Sequence, residues 1–437
     1  MQLAQPSLQH APKLSMASHA KAKPLVAAYR CLAMAAAIAA SNWCAAQEAA
    51  TAPPGPRDTI TLQSGYFSGD YANNADYVQV VLEQSRGIER LSRWAYEKNR
   101  EHLDGPVSRT AFFLGANLSN LVGTSFIAFH EWGHASRLEA GGVKAQLSTC
   151  QGLSCPGPRD FFGFAGSMFF KLGATTYAVN DGRSFLSHPE SGRAAQGIVS
   201  AAGANNDTFF AERAEERNFL AGQGGAIALF TPEDRFAIAQ YVSWGSSGPG
   251  NDINNITRAY RSSGVDSTVT PDDLRKINLL SAFSGAFVSN WRARYAFIAN
   301  GNMDTKPWLI QGFLVPNQYN YLSSRGITRK WVSGYAFNDS LKILGSYESV
   351  VRGDDYSEFG LGAYKDFGAW DVYAKVTGKD FDTLNLEAAA STYVAKDWKL
   401  GLKAYVWDSR SLLGERNTLD FSKNKTQQLS VALSYVY

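Results

Sequence analysis

From about Lys330 to its last residue the chain alternates apolar and polar side chains at period two, interrupted only by short polar turns, and few folds accept that pattern. Trp398, Leu400, Leu402, Ala404 and Val406 share one face, against Lys399, Lys403 and Tyr405 on the other. Trp370, Val372, Ala374 and Val376 alternate in the same way with Asp371, Tyr373 and Lys375. In residues 383–394, Leu384, Leu386, Ala388, Ala390 and Val394 oppose Asn385, Glu387, Ser391 and Tyr393. A helix cannot use such a repeat, because its faces recur every 3.6 residues rather than every two. Seven strands of this kind, joined by turns such as Gly353-Asp354-Asp355 and Lys365-Asp366, read as one antiparallel sheet.

Each strand is near ten residues long, which is what a tilted strand needs to cross a bilayer. A soluble sandwich or closed barrel would alternate in the same way. The polar faces here mix charge with tyrosine, however, and the apolar faces are rimmed by Trp and Tyr, as in a transmembrane barrel. The last strand places Leu429, Val431, Leu433, Tyr435 and Tyr437 on one face, and this aromatic ending resembles the C-terminal signature of bacterial outer-membrane proteins. An even count requires another strand, either from residues 308–321, broken by Pro316, or from residues 59–67. The expectation is a barrel of about eight strands over residues 301–437.

The other end has a different character. Residues 1–46 carry Lys13, Lys21, Lys23 and Arg30 but no Asp or Glu, then the run CLAMAAAIAA, then Cys44-Ala45-Ala46 before Gln47. A basic region, an apolar core and small residues at the end describe a secretory signal peptide. Its removal takes four positive charges from a formal +3 and leaves the mature chain at −1. No basic surface then remains to argue for nucleic acid. Only Cys150 and Cys155 survive cleavage, and two cysteines five apart in an exported chain fit a small loop disulfide better than a metal site.

Residues 47–300 read mostly as helix, with an amphipathic stretch at 76–99, an uncharged one at 110–129, and further helices at 193–221, 232–244 and 271–300. The Gly- and Pro-rich residues 141–173 read as a structured loop, and 246–255 as a linker. The uncharged stretch runs into Phe129-His130-Glu131-Trp132-Gly133-His134-Ala135. On a helix His130 and His134 share a face one turn apart and can reach one metal ion, while Glu131 stands beside a metal-bound water without being a ligand. Gly133 is expected to leave room there for a substrate backbone. Of the six histidines, two lie in the leader and two in this motif; His102 and His188 sit in polar contexts.

Zinc needs a third protein ligand and an open position. The carboxylates within reach of the motif are Asp160, Asp181, Asp207, Glu212, Glu215 and Glu216. Asp207 has small and apolar neighbours, where a carboxylate stays charged only if it is paired or bound to metal. Glu212, Glu215 and Glu216 fall in AERAEER, which reads as a solvated helix face, and Glu212 is the next choice. Around the motif, Gly141-Gly142-Val143 and Ala202-Gly203-Ala204-Asn205-Asn206-Asp207, the chain resembles the site-2 protease family of membrane-embedded zinc peptidases. Asp207 falls where that family has an Asn after an Ala-Gly-Pro stretch; the family's later Leu-Asp-Gly segment has no counterpart here.

The sequence thus predicts an α+β protein of the bacterial outer membrane: a helical zinc-metallopeptidase domain plus a C-terminal antiparallel transmembrane-type barrel. His130, His134 and Asp207 would hold Zn(2+), Glu131 would act as general base, and the substrate would be an envelope protein or peptide. Two other readings stay open, a zinc deacylase acting on an envelope lipid or glycan, and a non-enzymatic barrel that assembles or anchors other proteins.

Overall fold

The alternating region folds into long antiparallel strands, and the chain before it supplies helices. A computed structural model describes residues 59–63, 71, 73–121, 124–149, 155–157, 163–164, 167, 175–178, 196–221, 234–243, 251–303 and 306–436. The expected leader, Cys150, Asp160, Asp181 and His188 lie outside these residues; Cys155 is disulfide-bonded.

In chain order the elements begin with β1 (Thr59–Gln63), α1 (Asn74–Lys98), α2 (Pro106–Leu121), α3 (Thr124–Ala140), β2 (Ala145–Ser148), β3 (Thr175–Ala178) and α4 (Gln196–Ala221). Then come α5 (Ala237–Ser243), α6 (Asp252–Ser262), α7 (Pro271–Leu279) and α8 (Gly285–Asn300). The strand region comprises β4 (Leu309–Ile310), β5 (Phe313–Ser323), β6 (Gly326–Asn338), β7 (Leu341–Gly353), β8 (Ser357–Asp366), β9 (Trp370–Gly378), β10 (Asn385–Ala395) and β11 (Trp398–Asp408). A short helix, α9 (Leu412–Asn417), precedes the last strand, β12 (Lys425–Val436). The stretch expected as one helix at 110–129 is divided between α2 and α3, and that at 271–300 between α7 and α8.

Strands β4 to β12 pair with their sequence neighbours, and β1 returns to pair with β12, giving a ten-stranded sheet. Both candidates for an additional strand are present. The first is β5, which crosses Pro316 through a register shift between Leu314 and Asn317, where a residue without an N–H is tolerated. The second is β1, where Leu62 faces Leu433 and the Thr61 and Ser434 hydroxyls lie 2.9 Å apart. The expected barrel is not closed by strand pairing among the described residues, since β1 and β4 remain as edges.

The two faces of the sheet are inverted relative to a water-soluble one. Trp331, Phe359, Leu361, Leu400, Leu429 and Val431 are exposed, while Lys330, Glu348, Glu358, Lys375 and Glu387 are buried. The buried charges are met by α4, which runs along the inner face. Lys330 Nζ lies 2.5 Å from Glu212, Lys375 pairs with Glu216, and Arg213 pairs with Glu387. Tyr319 and Tyr321 donate to Glu215 and Glu212. From α9, Arg416 grips Glu348 through two hydrogen bonds of 2.7 Å. Buried charge persists only when paired in this way. The run AERAEER is therefore not a solvated face, and Glu212 is not a metal ligand but an anchor of α4 to the sheet. Secondary structure changes near residue 300 as expected, yet the described residues all fall in one compact unit, Pro53–Tyr437.

Candidate metal centre

The site is built where α3 crosses α4. Phe129 and Trp132 of α3 are buried in the core, with Trp132 packed edge-on against Tyr71 at 4.6 Å, so His130 and His134 are turned toward α4. Val199, Gly203 and Asp207 stand four residues apart along α4 and share a face. That face receives both imidazoles. His130 Nδ1 lies 2.8 Å from Asp207 Oδ2, and His134 Nδ1 lies 2.6 Å from the Val199 carbonyl.

The crossing depends on two glycines. A Cβ at Gly203 would stand 2.3 Å from His130 Nε2, so any larger residue displaces the ring. A Cβ at Gly133 would stand 2.5 Å from the Ala202 carbonyl oxygen. The space beside Gly133, expected for a substrate backbone, is therefore filled by α4. Asn206 adds a hydrogen bond of 2.9 Å to the Phe129 carbonyl, and Asn205 pairs with the backbone of Leu322 on β5 at 2.7 and 2.9 Å.

Both Nδ1 partners are acceptors, so each Nδ1 donates and each Nε2 is the nitrogen that could meet a metal, an arrangement common around histidine ligands. The two Nε2 atoms converge on Asp252 Oδ2, 3.7 Å from His130 and 3.1 Å from His134. Ligand atoms about 2.1 Å from a tetrahedral zinc stand about 3.4 Å apart, and these two distances lie on either side of that edge. His130, His134 and Asp252 thus form a fitting donor set for zinc, two imidazole nitrogens and a carboxylate. Asp207, expected as the third ligand, instead stands behind His130 on the Nδ1 side and orients it. His102 is exposed beyond the end of α1 and takes no part.

Electrostatics favour a cation at this point. Burial works against protonation of both rings, but Tyr241 and Asp207 on His130, and Asp252 on His134, outweigh it and hold both pKa values above the ordinary imidazole value. Burial likewise pushes Asp252 up, yet the two histidines hold it well below the usual carboxylate range. Glu131 is close enough to act on His134 and Tyr241, and its Oε2 accepts a hydrogen bond of 2.7 Å from Thr176 on β3.

Asp252 opens α6 inside the stretch expected as a linker. The readable signal was Asn251, whose side chain caps Ile253 N and Asn254 N, followed at once by an acid in the first turn.

No family model matches the chain, and no curated protein matches it. Among solved structures it is similar to three variants of a porin from Rh. blastica, each at 16% identity and a TM-score of 0.21, covering 30% of this chain. The matched part spans 42% of that porin, and a likeness this loose carries no argument about architecture or activity.

Proposed function

We propose that this protein is a zinc-dependent peptidase held in a bacterial outer membrane, with His130, His134 and Asp252 as metal ligands and Glu131 as general base. The observation that carries the reading is the convergence on Asp252 Oδ2 of α6 of both Nε2 atoms from α3, the helix that also bears Glu131. A zinc ion held there supplies a Lewis acid that polarises a carbonyl and brings the pKa of a water toward neutrality. The chain's own residues do the rest. Glu131 takes the proton of the attacking water and returns it to the leaving amine. Thr176 holds the carboxylate through Oε2 and leaves Oε1 to take the proton. Asp207 and the Val199 carbonyl keep the imidazoles in register. A peptide bond is the target because this motif on a helix most often serves metallopeptidases. Exposed apolar side chains across the outer face of the sheet, with charge buried inside, support a lipid environment.

The test uses full-length protein purified in detergent. Glu131→Gln should keep zinc and lose peptide-library cleavage by about 10²–10⁴-fold, whereas His134→Ala should lose the metal. Zinc absent from the wild type would reject the centre. Cleavage of acyl esters but not peptides would move the substrate to envelope lipids or glycans. Extraction from membranes by salt alone would reject the lipid-embedded sheet.

A further inference from the structure

A phenol stands beside one of the candidate ligands. Tyr241, on α5, places its hydroxyl 2.7 Å from His130 Nε2, with the two rings nearly parallel at 6° and their centroids 4.8 Å apart. The short helix that carries it is held from several sides. Ala237, Ile238 and Ala239 are buried, Ala239 N donates to Asn278 Oδ1 at 3.0 Å, and the preceding Arg235 is paired with Glu215 of α4. Tyr241 itself packs against the apolar cluster of Ile253, Ile256 and Tyr260 on α6, the helix that brings Asp252. The hydroxyl is thus positioned by the same elements that position the ligands.

The hydroxyl and His130 Nε2 share one hydrogen bond. A metal held at Nε2 would occupy that nitrogen, and the hydroxyl beside it would then be placed to donate to a substrate oxygen at the same metal. During hydrolysis that oxygen is the carbonyl oxygen of the scissile bond as it gains negative charge. We propose that Tyr241 is a catalytic residue that donates a hydrogen bond to this oxyanion, a second electrophile beside the metal. The inference rests on the hydrolase reading above. Its energetic signature follows from acting only on the developing charge: it should change kcat and leave KM nearly untouched.

The experiment compares wild type with Tyr241→Phe in the full-length protein, which keeps the ring and its packing. The probe is a phosphinic dipeptide, whose tetrahedral oxygens mimic the charged state, and binding is followed by calorimetry alongside zinc content. Tyr241→Phe should keep zinc at the wild-type stoichiometry and bind the phosphinate about 10²-fold more weakly, the usual value of one oxyanion donor. Where a cleaved peptide is in hand, kcat should fall by the same factor with KM unchanged. Zinc retained and phosphinate bound alike by both proteins overturns the assignment while leaving the peptidase reading standing. Loss of zinc from Tyr241→Phe also overturns it, by making Tyr241 part of the metal-binding scaffold. A wild type without zinc removes the hydrolase reading and Tyr241 with it, and one that holds zinc but binds no phosphinate counts against both the peptide substrate and the oxyanion role.

Discussion

The two halves of α4 bury carboxylates in opposite ways. Toward its C-terminal end, Glu212, Glu215 and Glu216, with Glu387 of β10, face Lys330, Arg235, Lys375 and Arg213, so four carboxylates meet four permanent cations. Toward its N-terminal end, Asp207, joined by Asp252 of α6, meets only the imidazoles of His130 and His134. Among the described residues no lysine or arginine pairs with either aspartate. One half is neutralised by the chain itself and fastens the helix to the sheet. The other is met only by imidazoles, whose Nε2 protons a divalent ion could replace. Pairing with titratable imidazoles rather than with fixed cations, more than the motif itself, separates the candidate centre from the structural network.

The largest test of that contrast removes one cation from the neutralised half. Lys330→Met leaves Glu212, which is fully buried, with Tyr321 and a distant Lys375 at 3.9 Å. The expected loss is about 3–5 kcal/mol, the usual cost of stranding one partner of a buried pair. The denaturant midpoint of the detergent-solubilised protein reads it. Lys330→Met combined with Glu212→Leu should recover much of the loss, because no charge is then buried. A drop of less than about 1 kcal/mol for the single variant would mean that water reaches Glu212, and the inner face would then be wet rather than sealed by α4.

The next test separates the two aspartates of the other half. Asp252→Ala removes the proposed third ligand and should leave two histidines unable to hold zinc through dialysis. Asp207→Ala removes only the partner of His130 Nδ1, and the expected cost is about 10–100-fold in zinc affinity. Competition with a fluorescent chelator measures both. The reverse order, with Asp207→Ala losing zinc outright and Asp252→Ala keeping it, would restore Asp207 to the ligand position expected from the sequence.

That exchange of roles marks where the sequence stops being informative. Period-two alternation made β6 to β12 legible, including which residues share a face, because each strand states its own pattern. The need for an even strand count offers residues 308–321 or 59–67 as one more strand, and both regions hold strands, at 313–323 and 59–63, although the open edge between β1 and β4 has no local signature. His130, Glu131 and His134 were legible because one helical turn fixes their geometry. Asp207 does meet His130, but spacing along a chain does not say which nitrogen of an imidazole a carboxylate will meet. AERAEER reads as a solvated face but is buried, because a helix inside a charged sheet carries the same residues as a helix in water. Asp252 was hidden in SSGPGNDINN, where composition suggested a linker and only the Asn-Asp start hinted at a helix.

The smallest effect is expected where charges are paired but reach solvent. Arg352, at the end of β7, pairs with Asp266 and with Asp273 at 3.1 Å, tying the sheet to the α6–α7 connection. Arg352→Gln should cost no more than about 1 kcal/mol, several-fold less than Lys330→Met, since both partners can turn to water. The pair also sets a direction with pH. Slight burial pushes Asp266 up, but hydrogen bonds from Arg352 and Thr268 outweigh it and hold the carboxyl below its ordinary value. A folded pKa below the unfolded one means that the contribution is present above the unfolded value, near 4, and is lost as pH falls through the folded one. The difference in midpoint between wild type and Arg352→Gln should therefore shrink below about pH 4 and stay constant above about pH 5. A difference as large as that of Lys330→Met, or one that grows on acidification, would break the distinction between sealed and solvated pairs on which the reading of α4 depends.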